Sequence, residues 1–264
     1  MDGYNLIYAA FLLTSGLLAD LFGRRRIFMA GAALFASASI LCALSPSIPI
    51  LIAGRALAGL GAALVLPASL ALLRVVWPET KARAKALGIW AGCNGLALAI
   101  GPTLGGLLTT YFGWRSIFFL VVPLGLVALV AAPLCVPESA GPKGRRFDAS
   151  GQILGALALG GLALAAIESH RWPILAAAAG AGAALAFGLF VWVEARLRAA
   201  ALVPLDLFRM PAFVAAMTAT GGMTFGMYGL LFLLPLTWQS TDVLGPIGAG
   251  LALMPMALVF VAVS

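Results

Sequence analysis

Residues 4–45 read YNLIYAAFLLTSGLLADLFGRRRIFMAGAALFASASILCALS. Two apolar runs flank a turn that holds Asp20, Gly23, Arg24, Arg25 and Arg26, and each run is close to the ~20 residues a helix needs to cross about 30 Å of hydrocarbon. An amphipathic surface helix of a soluble protein keeps a polar face along its length, and neither run has one. The pattern is that of two membrane spans with their charges gathered at one membrane surface. The rest of the chain repeats it.

Composition gives the same class. Of 264 residues 63% are hydrophobic and 9% charged, the mean hydropathy is +1.09, and there are 31 glycines. A soluble body carries roughly 25% charged residues to keep its surface wet, so a soluble enzyme or a disordered tail is excluded. Abundant glycine suits helices packed closely inside a bilayer. The expected fold class is all-α, a polytopic helical membrane bundle. The net charge of +7 comes from 16 Lys and Arg scattered in small groups between apolar runs, which makes no basic face and gives no reason to expect a nucleic-acid partner. Cys42, Cys93 and Cys135 lie inside apolar runs without metal-site or disulfide spacing and read as packing residues.

Reading between charged or Pro/Gly punctuation predicts nine spans, over 4–22, 27–45, 50–73, 86–110, 116–135, 150–168, 173–193, 212–238 and 248–264. Short cytoplasmic loops hold the Lys and Arg excess of a membrane protein. Sorted into alternate loops, one set takes Arg24 to Arg26, Arg74, Lys81, Arg83, Lys85, Lys143, Arg145, Arg146, Arg196, Arg198 and Arg209. The opposite set takes only Arg115 and Arg171, and Arg55 lies within a span. The chain is therefore expected to enter from the outer side, with its basic loops cytoplasmic in a bacterial-type inner membrane. Both ends read as cut, since Met1 runs straight into an apolar helix without the basic region of a signal peptide and the last span stops at Ser264.

Three motifs carry chemistry. The first is Gly16-Leu17-Leu18-Ala19-Asp20-Leu21-Phe22-Gly23-Arg24-Arg25-Arg26, an acid closing a helix before three cations. Read alone it is a positive-inside anchor with a surface ion pair, yet anchoring does not need Asp20. The second is Arg55, six residues beyond Pro49 and so roughly 9 Å along the axis of an otherwise apolar run. An ionised Arg in a membrane helix costs about 2.5–3.5 kcal/mol on insertion scales, so it is aimed at a cavity or a partner, or it snorkels to the outer surface. The third is Gly101-Pro102-Thr103-Leu104-Gly105-Gly106, where Pro102 removes a backbone hydrogen bond and bends the helix, and Gly101 and Gly105 admit a neighbouring backbone. The pairs Gly88/Gly92, Gly151/Gly155 and Gly222/Gly226 read as plain packing.

The first motif resembles the major facilitator superfamily signature G-x-L-A-D-R-x-G-R-[KR], with Leu21 where that pattern has Arg. Leu51, Arg55, Gly59, Gly61, Ala62 and Ala63 resemble the family's fourth-span pattern L-x-x-x-R-x-x-Q-G-x-G-A-A, with Ala58 in the place of Gln. The third motif resembles the fifth-span G-P-x-x-G-G of its antiporter branches, with Ala97 at the usual preceding glycine. Gly113-Trp114-Arg115, the span pair at 150–193, and Pro204-Leu205-Asp206-Leu207-Phe208-Arg209 are similar to the fourteen-span drug/proton antiporter branch, as is the tail from Leu234-Pro235-Leu236 to Pro255. The resemblance covers essentially the whole chain and aligns it with family spans two to ten.

What it implies is a latch at the inner gate formed by Gly16, Asp20, Gly23, Arg24 and Arg25. It implies coupling through Arg55 with Gly59 and Gly61, and an antiport helix shaped by Gly101, Pro102, Gly105 and Gly106. The expected division is a partial N-terminal bundle over 1–135, a cytoplasmic loop over 136–149, an extra span pair over 150–193, a second cytoplasmic loop over 194–211, and the start of a C-terminal bundle over 212–264. Small amphipathic compounds would be exported in exchange for protons by alternating access, with no cofactor and the proton gradient as energy source. Asp20, Glu168 and Asp242 sit at span ends and no acid lies mid-span, so no proton carrier is evident. The family's first-span acid and the helix against which the latch closes have no counterpart here.

Other polar residues have two readings. Asn94, beside Trp90, either lines a substrate cavity or hydrogen-bonds to a neighbouring helix. Met217, Met223, Phe225, Met227 and Tyr228 suit an adaptable pocket or plain packing. His170, next to Arg171 and Trp172, reads as an interfacial anchor. Nothing has the spacing of a nucleotide fingerprint, a metal cluster or a nucleophile with its base, so an enzyme is not expected. The alternatives to drug export are a carrier of the same superfamily for a sugar, siderophore or other metabolite, and a non-transporting truncated membrane scaffold with an unknown protein partner.

Overall fold

The computed structural model describes residues 3–141, 148–197, 205–241 and 243–263. With no water to satisfy backbone groups in hydrocarbon, the apolar runs close their hydrogen bonds internally as helices. Among the described residues there are nine: α1 Gly3–Phe22, α2 Arg24–Ala43, α3 Ile48–Val76, α4 Thr80–Phe112, α5 Ser116–Cys135, α6 Ala149–Glu168, α7 Pro173–Leu197, α8 Pro211–Ser240 and α9 Pro246–Val263, with a short 3-10 turn over Leu205–Arg209. The first eight are long and apolar enough to cross a membrane, and α9 holds a shorter apolar stretch over Ile247–Met256. The nine predicted spans fall on these nine helices. The largest difference is at α4, which begins at Thr80 because the polar stretch Thr80–Lys85 continues the helix beyond the apolar run.

The helices gather into two compact units. One comprises Met1–Val76 with Phe118–Leu205, the other Trp77–Ile117 with Asp206–Ser264. Sequence order places α4 with the helices of 1–135, whereas by contact it clusters with α8 and α9.

In the first unit α3 is wedged between α1 and α2, and its glycines are divided between the two contacts. A Cβ on Gly61 would lie 2.7 Å from the Phe35 amide nitrogen and 2.9 Å from the Gly31 carbonyl oxygen, so α2 and α3 touch backbone to backbone. A Cβ on Gly59 would fall onto the Tyr4 carbonyl oxygen, where α1 crosses on another side. Small residues at such crossings allow the dispersion contacts that replace the hydrophobic effect inside lipid. α6 and α7 form a hairpin, and α6 also packs on α1: a Cβ on Gly155 would lie 2.9 Å from Leu13 of α1 and 3.6 Å from Phe190 of α7. α5 meets α2 where Gly125 faces Ala36.

In the second unit α4 packs on α9, and the close point is Gly250. A Cβ there would lie 2.7 Å from the Thr103 amide nitrogen, and Thr103 itself is buried. The close approach anticipated at Gly101 and Gly105 thus falls on Thr103 instead. Residues two apart lie about 200° apart around a helix, so Thr103 and the two glycines occupy opposite faces. No heavy atom among the described residues comes within 4 Å of a Cβ at Gly101, Gly105, Gly92, Gly222 or Gly226. α8 has no buried residue among those described, and its Phe225 is 84% exposed. Surfaces of Leu, Ile, Val and Phe on this scale are compatible with lipid and not with water. Lys143, Arg145, Arg146, Arg198, Pro204 and Asp242, with the middle of each expected cytoplasmic loop, lie outside the described residues.

Candidate functional site

The turn between α1 and α2 is one residue long. α1 ends at Phe22, α2 begins at Arg24, and Gly23 between them has φ +104°, a region that side chains with a Cβ avoid. As the residue before α2, Gly23 has no side chain to cap the first N–H groups of that helix. The cap comes from the chain just beyond α5. The Arg24 amide donates to the Ser139 carbonyl at 2.7 Å, and the Arg25 amide donates to Glu138 Oε1 at 3.1 Å. A carboxylate at a helix start also meets the positive end of the helix dipole.

The same strap lies against two of the cations. Glu138 Oε2 lies 3.8 Å from Arg25 Nε and 3.6 Å from Arg26 Nε, and Arg25 Nη1 donates to the Val136 carbonyl at 2.9 Å. Asp20 Oδ1 accepts from Arg24 Nε at 3.1 Å and Nη2 at 2.9 Å, with the two side chains only 15% and 18% exposed. The Gly141 amide donates to the Asp20 carbonyl at 2.8 Å, and a Cβ on Gly141 would meet Asp20 Cβ at 2.7 Å. So Asp20, Gly23, Arg24 and Arg25 are brought together in one knot, with residues 136–141 laid across them. Gly16 sits one turn up α1, its Cβ position 3.9 Å from Pro67 of α3.

Glu138 was not foreseen. The signal available was charge balance: three consecutive arginines face one acid at Asp20, and Glu138, like Glu79, is an acid on a later loop of the same parity. Gly23 is constrained twice, by its φ and because a Cβ would lie 2.8 Å from Glu138 Oε1. Gly23→Ala is expected to destabilise the α1–α2 joint by about 1–3 kcal/mol, the range for a residue held in an unfavourable backbone region. Thermal unfolding of the detergent-solubilised chain would read this as a lowered midpoint, and an unchanged midpoint would contradict the constraint.

Arg55 lies on α3, half-buried, with Cζ 4.4 Å from the centroid of the Tyr4 ring on α1. Tyr8, one turn along, stacks on Tyr4 with centroids 6.0 Å apart and planes within 3°. Of the readings left open for Arg55, a cavity, a partner or the outer surface, the structure supplies a partner, and it is aromatic. Gly59 and Gly61 flank it as the crossing points described above.

On α4, Pro102 lies inside the helix and Gly106 is half-buried, while Gly101 is exposed. Asn94 is exposed and donates to the Trp90 carbonyl of its own helix at 2.8 Å. Its amide is thus satisfied locally, as is common for short polar side chains in membrane helices. Met217, Met223 and Phe225 are exposed on α8.

A second residue missed in the sequence is Glu194, in the last turn of α7 and 1% exposed. It faces the start of α6, where Asp148 Oδ1 accepts from the Gly151 amide at 3.0 Å and Gln152 is 5% exposed. A single acid at the end of FVWVEARL looks like a surface residue; only the folding of α6 back along α7 buries it.

A knot of Asp20 and the arginines at the α1–α2 turn, a charged residue inside a span, and helices joined at glycine crossings are the parts the sequence motifs pointed to. The chain matches the profile of the Major Facilitator Superfamily over residues 1–264. It belongs to that superfamily. It is 39% identical over 264 residues to the multidrug resistance protein Stp of Mycobacterium tuberculosis, an alignment covering 99% of this chain and 49% of Stp. It is 40% identical over 265 residues to the methylenomycin A resistance protein of Bacillus subtilis, covering 99% of this chain and 56% of that protein. It is 34% identical over 260 residues to the multidrug efflux pump LfrA of Mycolicibacterium smegmatis, covering 98% and 52%. The chain spans about half the length of the curated relatives it matches. As a member of the superfamily it is an integral, multi-pass, all-helical membrane protein of a transporter family, not an enzyme.

Proposed function

We propose that the chain is part of a proton-coupled exporter of small amphipathic compounds working by alternating access in a bacterial inner membrane, with its basic loops cytoplasmic. The observation that carries this reading is the 34–40% identity, over nearly the whole chain, to proteins named for drug efflux or antibiotic resistance. The geometry supports it. The Asp20–Arg24 pair is largely out of water, and such a pair biases two helix arrangements by a few kcal/mol according to whether it is made or broken. In this mechanism the knot at Asp20, Gly23, Arg24 and Arg25 latches the inner gate. Arg55, flanked by Gly59 and Gly61, supports coupling, and Pro102 with Gly101, Gly105 and Gly106 shapes the antiport helix. The proton gradient is the energy source and no cofactor takes part.

The test is dye export from cells expressing the protein that carries these residues, with and without a protonophore. Export that collapses with the gradient, and is lost in Arg55→Leu, is expected. Export indifferent to the gradient would end the proton-coupled reading. Growth protection restricted to a sugar or siderophore would instead assign another solute, and no movement of any solute with capture of a membrane partner would assign a scaffold.

A further inference from the structure

We propose that Tyr4 is the residue that positions Arg55: the face of its ring holds the guanidinium within the α1–α3 crossing, and Gly59 sets the height at which it does so. The argument begins with the charge. Arg55 lies in a helix whose positions three and four residues away on the same face are Leu51, Ile52, Ala58 and Gly59, so it finds no polar side chain on its own helix. A guanidinium is planar and weakly hydrated, and it gives up water for an aromatic face more readily than an ammonium does. The observed 4.4 Å from Cζ to the Tyr4 centroid is within the roughly 6 Å over which the ring quadrupole attracts a cation.

The backbone fixes this distance. Gly59 is four residues beyond Arg55 and so lies on the same side of α3, one turn on. A Cβ at 59 would fall onto the Tyr4 carbonyl oxygen and lie 3.1 Å from the Tyr4 Cα. α1 can therefore settle onto α3 at this level only because residue 59 is glycine. Once it has settled, the Tyr4 ring reaches back over Arg55. Tyr8 stacks against the ring in a parallel arrangement and holds it flat toward the cation. Arg55 and Gly59, five positions within one motif, thus act as a single device with Tyr4 as the part on the other helix.

The inference concerns where the charge is held and stands apart from whether the protein exports drugs, so the experiment reads Arg55 directly. The detergent-solubilised 264-residue chain is treated with phenylglyoxal, and modification of Arg55 is followed by peptide mass spectrometry with Arg115 and Arg171 as references. Tyr4→Phe keeps the ring and is expected to leave the rate unchanged. Tyr4→Leu keeps apolar bulk without the ring and is expected to speed modification of Arg55 about fivefold, in line with a partly desolvated cation–π contact. Because Tyr4→Leu could disturb packing, position 4 is also filled with phenylalanines carrying one, two and three ring fluorines, which drain the quadrupole at nearly constant shape. A stepwise rise in the Arg55 rate along that series is expected. A rate flat across the series, or equal acceleration by Tyr4→Phe and Tyr4→Leu, would overturn the proposal.

Discussion

Gly59→Ala is expected to lower the stability of the first unit by about 3 kcal/mol, near the top of the usual range for overpacking. The methyl would be placed on the Tyr4 carbonyl oxygen and 3.1 Å from the Tyr4 Cα, which are backbone atoms. A flexible side chain could swing aside, but here a whole helix must move. Since α1 also packs on α6, displacing it from α3 disturbs two contacts at once. The comparison is Gly92→Ala, at a position with nothing within 4 Å among the described residues, which should be neutral or slightly stabilising because alanine favours the helix. Thermal unfolding midpoints of the two variants in the same detergent decide the matter. Equal midpoints would mean that α1 and α3 do not meet as described.

The second large effect is expected at Asp20. Asp20→Ala leaves the Arg24 guanidinium, 18% exposed, without the oxygen that accepts from both its Nε and its Nη2. Breaking one partner of a fully buried pair costs about 3–5 kcal/mol and an exposed pair is worth about 0–1 kcal/mol, so a pair at this depth should lose about 2–3 kcal/mol. Most of that loss is the stranded cation. The double variant Asp20→Ala/Arg24→Leu, which removes both charges, should therefore recover at least half of it. A double variant no more stable than Asp20→Ala would show that the stranded charge is not the cause. Protease sensitivity of residues 136–141 should rise only in variants that lose the strap, since the Gly141 amide is held by the Asp20 main chain and not by its carboxylate.

How much of this could be read in advance depends on the range of the interactions involved. Helix positions were legible because a bilayer demands a fixed length of apolar chain, whatever the helices then pack against. Arg55 was legible because its cost is local and large. Its partner was not: a tyrosine near the start of a span reads as an interfacial anchor, and only the glycine crossing brings Tyr4 over the guanidinium. Glu138 meets Arg25 across 113 residues, and no local pattern connects them. The glycines of α4 were visible, but which side of α4 meets α9 depends on Gly250, whose place in the tail resemblance did not say which helix it meets. Glu194 was passed over for the same reason, because its burial is created by the return of one helix along another.

The one-residue joint at Gly23 has a mechanical consequence. Two rods linked through a single bead, with that bead also tied to Ser139 and Glu138 through its neighbours, have almost no slack between them. If α1 tilts, α2 must swing with it as the second arm of one lever, and the end of α5 is dragged along. Any flexing that the protein needs during its working cycle must then be found outside this elbow, and lengthening the elbow by two or three residues should uncouple the arms without touching a single charge.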